Sequence, residues 1–316
     1  MICPKVTVSI PVYNTERYIR QCLDSLMNQT MRELEFIIVD DGSTDCSGRI
    51  CDEYASRDTR FKVIHQQNGG LASARQVALD MAQSEYVIVC DSDDWVEPDI
   101  YERLYEAAQR TDADIVLCGY YAEYENGRSI PRQPWFKEKE GFVDNQHCIF
   151  YGASWAKLVK RSLFERAHAT YEMGINMGED KFIHSKLMKA NPRIVQISAC
   201  LYHYRRLFGE ATYTNMLKMT SVLQMNHIYK WLEANYPEKI YETQRRQFAL
   251  DIAVGFLRVD NIDRSFYVKF LACELPWKRL LAHGVSLKSV VVVLEKIFPI
   301  PMLRRLLGPI RKFVYA

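Results

Sequence analysis

The chain has 316 residues, 48% hydrophobic and 25% charged, enough apolar material for two domains or for one large domain with an extension. That balance excludes disorder, collagen and low-complexity fibre. The net charge of +2 points to no nucleic acid partner, yet it sums two unlike parts: in residues 277–316 eight Lys/Arg face the single acid Glu295, a surplus of seven, which leaves the first 276 residues at −5.

Residues 1–5 lead straight into a strand pattern, which predicts no secretory leader. Short apolar runs follow at 6–10, 34–39, 61–64, 86–89 and 115–118, and stretches of helical periodicity lie between them at 16–27, 47–57, 71–82 and 98–110. Strands alternating with helices predict an α/β fold, with a Rossmann-like, mostly parallel sheet covered on both faces. Past residue 119 the pattern changes. Asn126-Gly127 reads as a hairpin turn, an irregular aromatic segment runs to about Tyr151, and a helical stretch carries Trp155, Leu158 and Leu163. A further helix begins at Gly178-Glu179-Asp180. From Met216 apolar residues recur at helical spacing (Val222, Met225, Tyr229, Leu232), with breaks expected at Pro237, Pro276 and Pro299/Pro301. The nine cysteines are scattered singly without a C-x-x-C pair, as free thiols in a reducing cytosol would be. The longest apolar run, 290–294, stops at Glu295 and Lys296, far short of the roughly 20 residues of a membrane-spanning helix. A cytoplasmic protein is expected.

In a parallel sheet ligands bind at the carboxyl ends of the strands, and there this chain is polar. Asp91-Ser92-Asp93-Asp94 sets three carboxylates within four residues after a buried run. Repulsion and desolvation make that arrangement costly unless a cation offsets it. Hard ions such as Mg²⁺ or Mn²⁺ suit carboxylates shared with phosphate oxygens. Asp40-Asp41-Gly42-Ser43-Thr44-Asp45 follows the second strand, where its carboxylates serve either as acceptors for a base or ribose or as a turn capping the next helix. Asn68-Gly69-Gly70-Leu71, with Arg75 one turn on, forms a low-bulk loop at a helix N-terminus suited to phosphate. G-x-G-x-x-G, G-x-x-x-x-G-K-[ST] and H-E-x-x-H are all absent, which disfavours dinucleotide dehydrogenases, P-loop NTPases and zincin proteases.

Val8-Ser9-Ile10-Pro11-Val12-Tyr13-Asn14 and the three acidic or glycine loops above, four motifs in order over some 90 residues, resemble the family 2 inverting glycosyltransferases of the GT-A fold. Trp155-Ala156-Lys157-Leu158 with Arg161, and Gly178-Glu179-Asp180, are similar to later motifs of bacterial members that build surface polysaccharides. The resemblance covers about residues 5–210. It implies a nucleotide-diphosphate sugar donor, often a UDP-sugar, and a glycan or lipid-linked saccharide acceptor. Pro11, Tyr13 and Asn14 would line the nucleoside, Asp41 would meet the base, and Gly70 and Arg75 would lie at the nucleotide. Asp91 and Ser92 would serve the ribose side, and Asp93 with Asp91 would hold Mn²⁺ or Mg²⁺. Asp180 would be the general base, with Glu179 as its neighbour, and the sugar would transfer with inversion. His203, in Tyr202-His203-Tyr204-Arg205-Arg206, falls where such enzymes place groups near the metal and diphosphate, and Arg205 or Arg206 would supplement the metal; a simple surface strand is the other reading. Trp155 is either a sugar-stacking platform or a core residue.

The implied organisation is a nucleotide-sugar half over 1–118, an acceptor and base part of the same domain over 119–215, and a helical extension over 216–316. In the tail Leu303, Leu306, Leu307, Ile310 and Val314 recur at helical spacing, opposite Arg304, Arg305, Arg311 and Lys312. That is the pattern of an interfacial helix on anionic lipid, or of a helix that packs on protein. Two other classes stand beside the transferase: an inactive relative acting as a binding subunit, and a nucleotidyltransferase. The latter would want a Gly-rich basic loop where this chain has Pro11-Val12-Tyr13-Asn14.

Overall fold

The computed structural model describes residues 3–133, 136, 138–139, 141–144, 148, 153–206, 219–242, 244–245, 248–249 and 252. Strands and helices alternate as the sequence predicts: β1 (Val6–Val12), α1 (Ile19–Met27), β2 (Leu34–Asp40), α2 (Ser47–Arg57), β3 (Phe61–His65), α3 (Leu71–Met81) and β4 (Tyr86–Val89). Every residue of β1, β2 and β4 is buried, the signature of strands covered on both faces. β1 pairs in parallel with β2 and β4, setting Val8 opposite Phe36 and Ile88, and Ser9 opposite Ile37 and Val89.

Because strand side chains alternate between faces, that register sorts the core. Val6, Val8, Ile10 and Val12 join Phe36, Ile38 and Ile88 and pack against Ile19 and Leu23 of α1 and Ile50 of α2. Helix α1 presents Ile19, Cys22, Leu23 and Leu26 as its buried stripe, the i, i+3, i+4, i+7 spacing of an amphipathic helix. On the opposite face Ile37 and Val39 meet Ala74 and Ala78 of α3, small residues that let this helix lie close to the sheet.

The chain continues through β5 (Trp95–Val96), α4 (Ile100–Thr111), β6 (Ile115–Tyr124), β7 (Ser129–Arg132), β8 (Glu138–Lys139), β9 (Phe142–Val143), β10 (Lys157–Lys160), α5 (Arg161–Arg166), α6 (Glu179–Met188) and β11 (Ile194–Arg206). The main sheet has the order β3-β2-β1-β4-β10-β6-β11-β5, with β7 also on β6. β6 and β11 run parallel, whereas β10 is antiparallel to both β4 and β6. Asn126-Gly127 makes the β6–β7 turn, with Gly127 at φ +79° and a 2.9 Å bond from Tyr124 N–H to Arg128 C=O.

One expectation fails locally. The helical reading of Trp155, Leu158 and Leu163 spans two elements, a strand through Leu158 and the short helix α5. Ala156 stands at φ +53°, a left-handed conformation that no helix interior accepts. The strand fills the gap between β4 and β6 with only four residues, too few to display an alternating pattern.

By its contacts the chain divides into Met1–Phe208 and Gly209–Ala316. In the second unit α7 (Met219–Asn235) buries Val222, Ile228, Tyr229 and Leu232 and ends two residues before Pro237, as a proline requires. Among the described residues no helix is long and apolar enough to cross a membrane. The expected breaks at Pro276, Pro299 and Pro301, and the basic tail, lie outside the described residues.

Phe36 is fully buried and stacked on Phe61 at 4.5 Å between ring centroids. Phe36→Ala is expected to cost about 3–5 kcal/mol in urea unfolding followed by tryptophan fluorescence. A loss below about 1 kcal/mol would show that the β1–β2–α1 core is not where stability resides.

Candidate active site

Four loops meet at the carboxyl ends of β1 to β4, and side-chain bonds to backbone lace them together. Asn14, at φ +53°, donates its N–H to Ser43 Oγ (3.1 Å) and accepts from Thr44 N–H at Oδ1 (2.8 Å). Thr15 N–H donates to Ser47 Oγ (2.8 Å), and Thr15 Oγ1 to Ser92 Oγ (3.2 Å). Pro11 is buried within β1 opposite Val39, and the Tyr13 ring is half exposed beside it. Asp41 is buried, and its two oxygens accept from Gln66 Nε2 (2.6 Å), Gly69 N–H (2.8 Å) and Gly70 N–H (2.8 Å). In this structure Asp41 shapes the glycine loop. Gly70, at φ +86°, opens α3, and a Cβ there would collide with the Asn176 side chain. Asn176 Oδ1 in turn accepts the Ala72 N–H (3.2 Å), joining the segment before α6 to the start of α3.

Arg75 departs most from expectation. It does not extend toward a phosphate: its side chain is 2% exposed, and the guanidinium is divided among three carboxylates. Nη1 donates to Glu179 Oε1 (2.8 Å) and Asp180 Oδ1 (2.5 Å), and Nη2 to Asp91 Oδ1 (2.9 Å). One buried cation thus joins the acidic loop after β4 to the Glu179-Asp180 pair at the N-terminus of α6, where Asp180 lies 105 residues after Arg75 in the chain. Burial opposes its charge, and Asp180, Asp91 and Glu179 together outweigh that and hold its pKa well above the ordinary value.

The two acids of the pair separate. Burial, then the neighbouring Asp180, pushes the Glu179 carboxyl well above the usual range. Burial also raises Asp180, but Arg75 and the hydrogen bond from Glu179 prevail and leave it below its ordinary value. Of the two carboxyls, Glu179 is thus the one disposed to hold a proton and Asp180 the one disposed to ionise. Asp180 is also the accessible member, with a side chain 22% exposed against 9% for Glu179. Behind it Lys157 of β10 is buried and donates from Nζ to His184 Nδ1 (3.0 Å), while His184 Nε2–H donates to Cys148 C=O (2.8 Å). Burial pulls Lys157 down to about 8, with Cys148 and Asp180 opposing.

The acidic loop after β4 is held from behind. Asp94 turns inward, accepting from Tyr202 O–H (2.7 Å) and Arg205 N–H (2.7 Å), so it belongs to the scaffold. Arg205 spans the loop, with Nε donating to Asp93 C=O and Nη2 to Gln21 Oε1, both at 2.7 Å. The Asp93 side chain is half-buried, and among the described residues its carboxylate meets only its own backbone N–H. Burial, then Asp91, pushes it up to about 6. A carboxylate so placed suits a divalent cation. Among the described residues no three His, Cys, Asp or Glu side chains converge into a cage.

His203 does not join that group. Its ring is stacked between Trp95 and Tyr121, each 4.9 Å away between centroids, and both its nitrogens are taken, by Glu123 (2.7 Å) and Glu97 (3.0 Å). β11 carries it to the strand pair with β5 rather than to the carboxylates. Trp155 is 8% exposed and stacked on Tyr202 and Tyr204, a core tryptophan rather than an open platform. Lys157, Tyr202 and Asn176 were not singled out as site residues from the sequence. Lys157 opens a four-residue strand, KLVK, that also carries Lys160, so its charge does not stand out there.

The family model described as Glycosyl transferase family 2 matches residues 7–167. The chain belongs to that family. It is 36% identical over 212 residues to the glycosyltransferase EpsJ of Bacillus subtilis, covering 64% of this chain and 61% of EpsJ; the match thus spans about three fifths of that relative's length. It is 28% identical over 257 residues to TarP of Staphylococcus aureus, a poly(ribitol-phosphate) beta-N-acetylglucosaminyltransferase, covering 78% of this chain and 76% of TarP. Among solved structures, residues 1–349 of S. aureus TarS in complex with UDP-GlcNAc superpose with a TM-score of 0.71 at 22% identity, covering 98% of this chain and 92% of that one. The fold is that of the GT-A glycosyltransferases.

Arg75→Met leaves three carboxylates facing one another. It is expected to cost about 3–5 kcal/mol at pH 7. The depressed pKa of Asp180 contributes stability above the unfolded value, about 4, and that contribution is lost as pH falls through the folded value. The gap between the parent protein and the variant should therefore narrow in urea unfolding only well below pH 4, at about pH 2.5. An equal gap at both pH values would show that Arg75 contributes by packing alone.

Proposed function

We propose that the chain transfers a sugar from a nucleotide-diphosphate donor, a UDP-sugar, to a glycan or lipid-linked saccharide with inversion at the anomeric carbon. The observation that carries this reading is the geometry at the N-terminus of α6: the buried Glu179 and the more exposed Asp180 share the Arg75 guanidinium, which favours the ionised form of Asp180. Displacement with inversion needs one base, placed opposite the leaving group, to take the acceptor hydroxyl proton. Asp180 would accept that proton as the hydroxyl oxygen bonds to the anomeric carbon. The bond from that carbon to the diphosphate oxygen breaks, and its electron pair leaves with the nucleotide. Arg75 keeps the base ionised until the proton arrives.

The laced loops after β1 to β3 support a nucleoside site at Pro11, Tyr13 and Asn14, with the ribose toward Asp91 and Ser92. Asp93, with Asp91, would hold a Mn²⁺ or Mg²⁺ ion, whose charge offsets that of the departing diphosphate. The names of TarP and the TarS complex support UDP-GlcNAc as the first donor to try and a polymeric acceptor of the surface-polysaccharide kind. The basic face of residues 300–316 fits peripheral contact with an anionic membrane, where a lipid-linked acceptor would lie; each basic residue there contributes about 1 kcal/mol.

Donor hydrolysis and binding across a panel of nucleotide-sugars, with Mn²⁺ or Mg²⁺, test the reading. Asp93→Ala should abolish metal-dependent donor binding. Asp180→Asn should spare binding and lower turnover roughly 10²- to 10⁴-fold; near-normal transfer by that variant removes Asp180 as the base. Co-sedimentation with anionic vesicles should be lost on deletion of 300–316 and weakened by salt. Unchanged binding by the truncated protein excludes the tail as the anchor.

A further inference from the structure

Ser9 belongs to the motif after which β1 turns into the nucleoside loop, yet nothing in the proposed chemistry uses it. The register places it on the α3 face of the sheet, between Ile37 and Val89. It is 2% exposed, and its Oγ has no protein hydrogen-bond partner. Arg75 Nε is in the same condition, although every other nitrogen of that guanidinium is bonded to a carboxylate. Two orphaned buried polar atoms in one protein each cost free energy. Both line the same cavity, of about 30 Å³, under α3 and α6.

The cavity is lined by apolar side chains such as Leu79, Val87, Val89 and Ile183, and also by Ser154, Lys157, Tyr171 and His184. A cavity needs roughly 10–15 Å³ to admit a water, and the water needs two to four polar partners. Size and chemistry agree here: Arg75 Nε–H is a pure donor, and a serine hydroxyl both donates and accepts. A single water would accept from Arg75 and exchange a hydrogen bond with Ser9.

We propose that Ser9 is a positioning residue for the transfer reaction, holding Arg75 through a buried water so that the guanidinium arms stay divided between Asp91 on one side and Glu179 and Asp180 on the other. The proposal rests on Asp180 being the base. Ser9 touches neither substrate nor reacting atoms; it fixes the one edge of Arg75 that no carboxylate reaches. If that edge is released, the guanidinium can pivot, and Asp180 loses part of what keeps it ionised. The charged and titratable groups that face Arg75 and Asp180 are Asp91 after β4, Glu179 on α6, Tyr171 before it and Lys157 of β10, with His184 beside Lys157.

A crystal structure of the unmodified chain should show density for a water within hydrogen-bonding distance of Ser9 Oγ and Arg75 Nε. A dry cavity overturns the proposal. The kinetic arm compares Ser9→Thr, which keeps a hydroxyl, with Ser9→Val, which has the same shape without one. Ser9→Val should lower kcat about 2- to 10-fold with donor KM unchanged and move the acidic limb of the kcat–pH profile upward. Ser9→Thr should restore both. Equal profiles for the two variants, or a loss in KM alone, reject Ser9 as a positioning residue. If Asp180→Asn remains active, the base assignment itself has failed; if that variant is inactive while Ser9→Val behaves as the parent, only the present inference has.

Discussion

A buried guanidinium among three carboxylates sets the terms for the rest of this molecule. Isolated from water, Arg75 would be strongly unfavourable, and so would each of Asp91, Glu179 and Asp180. Together they are tolerable, but only if α3, the end of β4 and the start of α6 arrive at one point. The small residues Ala74 and Ala78 bring α3 close to the sheet, and Asn176 ties the segment before α6 to the first turn of α3. The same cluster makes the two acids unequal. Arg75 favours the charge on Asp180, while burial beside that charge favours the protonated form of Glu179.

Around this centre the structure separates holding from reacting. Asp41 and Asp94 carry acidic motifs in sequence, but both are consumed by backbone N–H groups and by neighbouring side chains. They fix loop shape before any ligand binds, so less ordering has to accompany binding. Arg205 serves the same end from the other side of the acidic loop, gripping the Asp93 carbonyl while lying over Trp95. The side chains of Asp91, Asp93 and Asp180, by contrast, stay partly exposed.

The alternation of strands and helices through residue 118 was legible because buried parallel strands and amphipathic helices leave different periodicities, and the loops after them were legible because turns demand Gly, Asn and Asp. Partnership was not. Nothing in the spacing of Arg75 and Asp180 says that they touch, since their contact depends on how two helices pack on one sheet face. His203 shows the converse. A histidine between aromatic residues and near an arginine reads as a ligand, whereas the pairing of β11 with β5 and β6 delivers its ring to Glu97 and Glu123. Strand β10 was hidden because four residues and one left-handed alanine leave no period to detect.

That short strand bears on how the chain is built. β4 is paired on one side by β1 and on the other by Lys157–Lys160, some 70 residues later in synthesis. Until that segment leaves the ribosome, β4 presents an open row of N–H and C=O groups flanked by Tyr86, Val87, Ile88 and Val89, a template for pairing with other nascent chains. The strand that delivers Lys157 near Asp180 is thus also the one that covers the free edge of β4 and joins it to β6.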